Sequence, residues 1–145
     1  MNSVLLALFA GGLIAIQAAV NARLGRELGN PFLGTLASFL VGTLAIALYC
    51  AATRAKLPST ETLLGIPWWA WIGGLLGAFF VTVVITTAPK LGVGTLVGLT
   101  VGGQLLMAVL LDHYGLLGLT RHPINPMRML GVILLVAGVA LLKRF

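Results

Sequence analysis

The sequence predicts an all-α integral membrane protein with five transmembrane helices. Three observations carry that prediction. Hydrophobic residues make up 59% of the 145 and charged residues only 8%, against roughly 25% charged in soluble domains. The mean hydropathy is +1.09. The apolar residues are gathered into five runs near the roughly 20 residues that cross a bilayer, separated by short polar connections. So few charges cannot cover a water-facing surface, so lipid must serve as the solvent.

The first span covers residues 4–20 and is expected to end at Asn21 and Arg23. No basic residue precedes this run, whereas a secretory signal opens with a basic segment. It is therefore read as a helix of the protein. The second span covers 31–52. Asn30 suits an N-cap, and Pro31 suits the first turn, where an N–H has no internal partner. The third covers 67–88, opened by Pro67 and closed by Pro89, with Trp68, Trp69 and Trp71 at its start. Aromatic residues gather at the water–lipid boundary, and Trp71 could also wall a substrate path. The fourth covers 93–111. The fifth covers 126–143, where Asn125-Pro126 repeats the cap logic of Asn30-Pro31. The apolar stretch of the fifth span is short, but Arg128, Lys143 and Arg144 at its ends can snorkel to water. A brief interfacial turn fits in 53–66, and only a tight hairpin fits in 89–92. One domain, 1–145, accounts for the whole chain.

The most informative stretch is GVGTLVGLTVGGQLLMAVLLDHYGLLG, residues 92–118. It is a glycine-studded apolar helix carrying one amide, Gln104, and ending on Asp112-His113. Small residues at four-residue spacing let helix backbones approach closely. Such stripes are Gly34, Ser38 and Gly42 in the second span, Gly73 and Gly77 in the third, and Gly94, Gly98 and Gly102 in the fourth. Polar pairs share helix faces at the same spacing. They are Gln17 with Asn21, Thr82 with Thr86, and Thr100 with Gln104. A threonine hydroxyl can bond back to its own helix. A bare amide in hydrocarbon costs several kcal/mol, so it must face protein or a wet cavity. Gln17, Asn21 and Gln104, with Trp71, are the candidate substrate-binding residues. Asp112-His113 is a candidate proton-sensitive gate, since histidine titrates near neutrality. A local bond from Asp112 to Arg121 or Arg128 is the structural alternative.

The chemistry that is missing narrows the function. The acids other than Asp112 are Glu27 and Glu61, both in connections. No carboxylate stands at mid-membrane, and no nucleophile–base set suggests an enzyme. His113 and His122 lack further ligands for a metal, and no cofactor motif is present. Cys50 reads as a small hydrophobe. The net charge of +6 is spread over span ends rather than along one stripe, which argues against nucleic acid as a partner.

Those basic residues also bear on orientation. Five spans put Arg23, Arg26, Lys90, Lys143 and Arg144 on one side, and Arg54, Lys56, Arg121 and Arg128 on the other. The Lys/Arg excess that orients membrane proteins is therefore a single residue. Copies inserting both ways up can pair about an axis in the membrane plane, giving one short chain the inverted repeat common in transporters. The expected assembly is an antiparallel, dual-topology homodimer of ten helices.

The string GQLLMAVLLDHYGLLG at 103–118, followed by Asn125, Arg128 and Gly131, resembles the YdcZ-like family of the drug/metabolite transporter superfamily. Gln17, Asn21, Leu24, Gly25, Ser38, Phe39 and Gly42 stand in family-like places. The resemblance covers essentially the whole chain. It implies a multi-pass, bacterial-type inner-membrane protein of five helices, often a dual-topology dimer, that transports or exports a small molecule. The related small multidrug resistance proteins carry a glutamate in their first helix. Here no acidic residue precedes Glu27, so proton-coupled export of cationic drugs by that route is not implied.

The reading favoured is a secondary transporter, an exporter of a small metabolite, working by alternating access through a cavity between inverted protomers. A neutral or anionic metabolite fits better than a cation. A small ion or solute channel built from the same dimer, and a non-transporting membrane assembly subunit, are the rival readings. The expected partners are a second copy, the bilayer and the small-molecule substrate.

Overall fold

The structure is a computed structural model and describes residues 2–144. Its main helices are α1 (Ser3–Glu27), α2 (Pro31–Ala52), α3 (Thr60–Gly65), α4 (Gly73–Leu91), α5 (Val93–Tyr114) and α6 (Pro126–Arg144). Short 3-10 turns occupy Trp68–Ile72 and Leu116–Gly118. Five segments are long and apolar enough to cross a bilayer: α1, α2, the 3-10 turn with α4, α5 and α6. No strand occurs among the described residues.

Several boundaries differ from those expected. α1 does not stop at residue 20. It continues through Asn21 and Arg23 to Glu27, and the Arg23 Nε–Glu27 Oε1 ion pair at 2.6 Å braces its last turn. Gly29 closes it, with φ of +65° and its N–H donating to the Arg26 carbonyl, the left-handed cap that glycine adopts most easily. The third span opens as a 3-10 turn, and its helix runs through Pro89 to Leu91. A proline there removes only one backbone bond, and it does so in the last turn. Gly92 alone separates α4 from α5, at φ +77°. The connection at 53–66 holds α3, capped by Ser59 Oγ accepting from Thr62 N–H. Both asparagine caps form: Asn30 Oδ1 accepts from Phe32 N–H, and Asn125 Oδ1 from Arg128 N–H, each at 2.8 Å.

The chain divides into two compact units, Met1–Lys90 and Leu91–Phe145. In the first, α1 buries Ala18, Asn21, Ala22 and Gly25, a stripe at helical spacing made of small side chains. Gly25 meets Gly34 of α2 almost backbone to backbone. A Cβ placed on Gly34 would stand 2.8 Å from the Gly25 Cα and 3.1 Å from Ile85 Cδ1. A Cβ on Gly25 would collide with Ile85 Cγ2. Ile85, buried on α4 beside Val81, Val84 and Ala88, therefore locks the crossing from a third helix. Thr35 and Thr82 join α2 to α4 through their hydroxyls, 2.8 Å apart. Each hydroxyl also reaches its own helix, Thr35 to the Pro31 carbonyl and Thr82 to that of Ala78. With one proton apiece, one threonine bonds back while the other bonds across.

In the second unit, α5 and α6 pack through the glycines of α5. A Cβ on Gly98 would lie 3.2 Å from Val139 Cγ2, and one on Gly102 3.5 Å from Leu135. Gly77 of α4 takes the edge of the Phe39 ring in the same way. Gly42, Gly73 and Gly94 have nothing within 4 Å of an added Cβ.

Gly34→Ala and Gly25→Ala are expected to destabilise the protein by about 1–3 kcal/mol. Gly42→Ala, with open space around it, should be neutral or slightly stabilising, because alanine favours the helix. Thermal unfolding in mild detergent reads the contrast; equal effects at Gly34 and Gly42 would refute the locked crossing.

Candidate functional site

A helix that spans lipid must hide or partner its polar side chains. Those that do neither mark where something else is to bind. In the first unit, a groove of about 630 Å³ runs beside α1, α2 and α4. Gln17, Ser38, Thr43, Gly77 and Phe80 line it, with Phe39, Gly42, Ile46, Ala47 and Val81. Its size is that of a small-molecule site. The lining is mostly apolar and carries three polar side chains. Gln17 is exposed and makes no side-chain hydrogen bond within the described residues, so its amide is left to serve whatever fills the groove.

Asn21 lies one turn further along the same helix. It is only 4% exposed, and its side chain has no hydrogen-bond partner among the described residues. Among the described residues no wholly sequestered side-chain nitrogen or oxygen lacks a partner. The Asn21 amide therefore keeps a narrow opening to its surroundings.

A second groove, about 600 Å³, lies between α2 and α4 and is lined by Phe32, Thr35, Phe39, Phe79, Thr82 and Thr86 among others. Its threonines are internally satisfied. Thr86 donates to the carbonyls of Thr82 and Val83. Phe39 borders both grooves. Ser38 was expected at a packing position, yet it lines the first groove. Thr43 and Phe80 line it too, and the sequence reading missed both. The only signal available was the four-residue spacing that places Ser38 and Gly42 on one stripe.

The other candidates fall elsewhere. Trp71 is 60% exposed in the 3-10 turn and lines neither groove. Gln104 belongs to the second unit. It is exposed on α5 and makes no side-chain hydrogen bond among the described residues. Thr100, its face partner, bonds back to the Val97 carbonyl.

Asp112 and His113 fasten the connection between α5 and α6. Arg128 Nη1 reaches Asp112 Oδ2 at 3.4 Å and donates to the His122 carbonyl at 3.0 Å. His122 N–H donates to the Asp112 carbonyl at 2.8 Å, and Arg121 Nε to that of His113 at 3.0 Å. The loop thus adds donors to two helix-end carbonyls, of which that of Asp112 also accepts from the Gly115 N–H. His113 Nδ1 accepts from Ile124 N–H at 3.1 Å, which requires a neutral imidazole with its proton on Nε2. The His113 ring also stands edge-on to Tyr114, with centroids 4.7 Å apart.

His113→Leu removes the acceptor of Ile124 N–H, worth about 1 kcal/mol. Trypsin should then cut after Arg121 about fivefold faster in detergent-solubilised protein. Thr100→Val should leave that rate unchanged. An unaltered rate in His113→Leu would show that this bond does not hold the loop.

Comparison with known proteins gives sequence matches over nearly the full length of the chain. A family model described as "Putative inner membrane exporter, YdcZ" matches residues 3–141. The Inner membrane protein YdcZ of Escherichia coli (strain K12) is 28% identical over 143 residues, covering 94% of this chain and 92% of its own. No solved structure matches. With five apolar helices and a family match from one end of the helical core to the other, the chain is a multi-pass integral membrane protein and belongs to the YdcZ family of inner-membrane proteins.

Proposed function

We propose that this protein is a secondary transporter exporting a small metabolite, working by alternating access as an antiparallel homodimer of ten helices. The observation that carries the reading is the 630 Å³ groove along α1, α2 and α4, with Gln17, Ser38 and Thr43 set into otherwise apolar helices. The family's description as an inner-membrane exporter supports the same class of function. A groove open along one flank in a single chain calls for a second wall. The near-balanced basic residues at the two membrane faces allow an inverted copy to supply it.

On this reading the chain acts as one transmembrane module. Gln17 and Asn21 offer hydrogen bonds from one protomer, and Gln104 offers an amide from an exposed face of α5. Trp71, which lines neither groove of the single chain, is assigned to an apolar wall of the path in the dimer. The chemistry is recognition and movement, without catalysis or a cofactor, and a neutral or anionic metabolite suits the amides and hydroxyls. Asp112 and His113 are the gate. The bond from Ile124 N–H to His113 Nδ1 is its latch, and the loop is released when that bond breaks. Asp112, Tyr114, Arg121, His122 and Arg128 surround that latch.

Two measurements test this. A thermal-shift screen of metabolites on purified protein should yield a stabilising compound whose effect is lost in Gln17→Ala and Gln104→Ala; a hit retained in both would remove these amides from the site. Cysteines placed singly at each end of the chain should each be labelled from outside intact cells in part of the population. Labelling of one end from one side only would refute dual topology.

A further inference from the structure

We infer that the first unit carries an anion site at its membrane-water edge, suited to a phosphate group held between Arg26 and Lys90. The two side chains come from the last turns of different helices, α1 and α4. Both line one cavity of about 350 Å³, with Gly25, Gly29, Asn30, Pro31, Ile85 and Thr86. That volume is at the lower end of ligand pockets.

The charge around this cavity is uncompensated. Glu27, the nearest acid in sequence, is engaged with Arg23, and Asp112 pairs with Arg128. Neither Arg26 nor Lys90 has an ion-pair partner among the described residues. Basic anchors at a membrane surface ordinarily spread outward to water. Here two like charges share one concavity, where a bound anion would relieve their repulsion.

The other lining groups sort themselves by what they can donate. Asn30 spends its Oδ1 on Phe32 N–H, which leaves its side-chain NH₂ without a partner. The first turn of α2 adds little, because Phe32 N–H and Gly34 N–H are already taken by Asn30. The Thr86 hydroxyl donates into its own helix, so it offers only lone pairs. Buried Ile85 and Gly25 form an apolar floor, held rigid by the contact between them.

The donor set is thus a planar guanidinium fork, an ammonium and an amide from three segments, all on exposed residues that line the one cavity. A fork of this kind matches the paired oxygens of phosphate. A tetrahedral oxyanion with several oxygens uses three directions of approach, whereas a carboxylate uses fewer. Two sources present that chemistry at this depth: the headgroup of an anionic phospholipid, and a soluble phosphorylated or inorganic phosphate.

The test uses full-length protein in uncharged detergent. Inorganic phosphate, titrated at constant ionic strength, should raise the unfolding temperature saturably, and acetate should do so less. R26Q and K90Q singly should each weaken the effect about tenfold, and R26Q/K90Q should abolish it. R54Q/K56Q, which removes the same charge at the opposite edge, should leave it intact. For the lipid source, protein in nanodiscs containing phosphatidylglycerol should melt higher than in phosphatidylcholine alone, with the difference again lost in R26Q/K90Q. A shift with phosphate only identifies a soluble anion, and one with phosphatidylglycerol only identifies a headgroup; either supports the site. No saturable shift in either arm would overturn it. So would equal losses in R54Q/K56Q and R26Q/K90Q. Should the double variant prove unstable, the two single variants decide by the same criterion.

Discussion

The contact of Gly25 with Gly34 is the constraint on which the first unit depends. Lipid tails are as apolar as leucine, so no hydrophobic gain draws two helices together inside a bilayer. What remains is close van der Waals packing and a few hydrogen bonds. Two glycines allow α1 and α2 to meet at backbone distance, and Ile85 fills the notch they leave. That crossing fixes where Gln17 and Asn21 stand, since both lie one to two turns from Gly25 on α1. It also brings Arg26 and the start of α2 to the same edge as Lys90. A single methyl at the crossing would therefore disturb both the groove and its basic rim.

Above that crossing the helices part and leave polar groups unserved. The threonines are not the clue, because those facing a groove on α4 have partners inside the unit: Thr82 in the Thr35 hydroxyl or the Ala78 carbonyl, and Thr86 in its own helix. The amides are. Among the described residues Gln17 has no such internal outlet, and Asn21 is almost wholly covered with no partner for its side chain. Desolvating an amide without a hydrogen bond costs several kcal/mol, so a chain that keeps two on one helix gains from a polar occupant. The second unit handles its polar residues differently. Asp112, His113 and Arg128 are tied into one connection, and the loop supplies their partners. These contacts fasten the connection between α5 and α6.

Much of this was legible in the residues. Hydropathy alone separates five spans, and the Asn-Pro pairs at 30–31 and 125–126 mark two helix starts by a mechanism, the cap, that depends only on local atoms. The misplaced boundaries have physical causes. Helix α1 outlasts its apolar run because backbone bonds and the Arg23–Glu27 pair continue where hydropathy stops. For the same reason Gly25, the tightest contact, was left out of the packing stripes: it lies beyond the residues counted as helix. α4 crosses Pro89 because one lost bond near a helix end is tolerable. The division of labour within the groove was less visible. Spacing places Gln17 and Asn21 on one face. Which of them is covered depends on the approach of α2, which spacing along α1 does not encode. Ser38 reads equally as packing or lining until the width of the gap beside it is known.

The central claim is that an inverted copy closes the groove along α2, and one cross-linking measurement bears on it directly. Cys50 is exposed near one end of α2, and Phe32 is exposed near the other. They lie about 27 Å apart along the helix, too far for a bond within one chain. In an antiparallel dimer, Phe32→Cys of one protomer faces Cys50 of the other. Membranes carrying Phe32→Cys together with native Cys50 should give an oxidised dimer, and protein with either cysteine alone should not. A dimer formed through Cys50 alone would place like ends together and contradict the account.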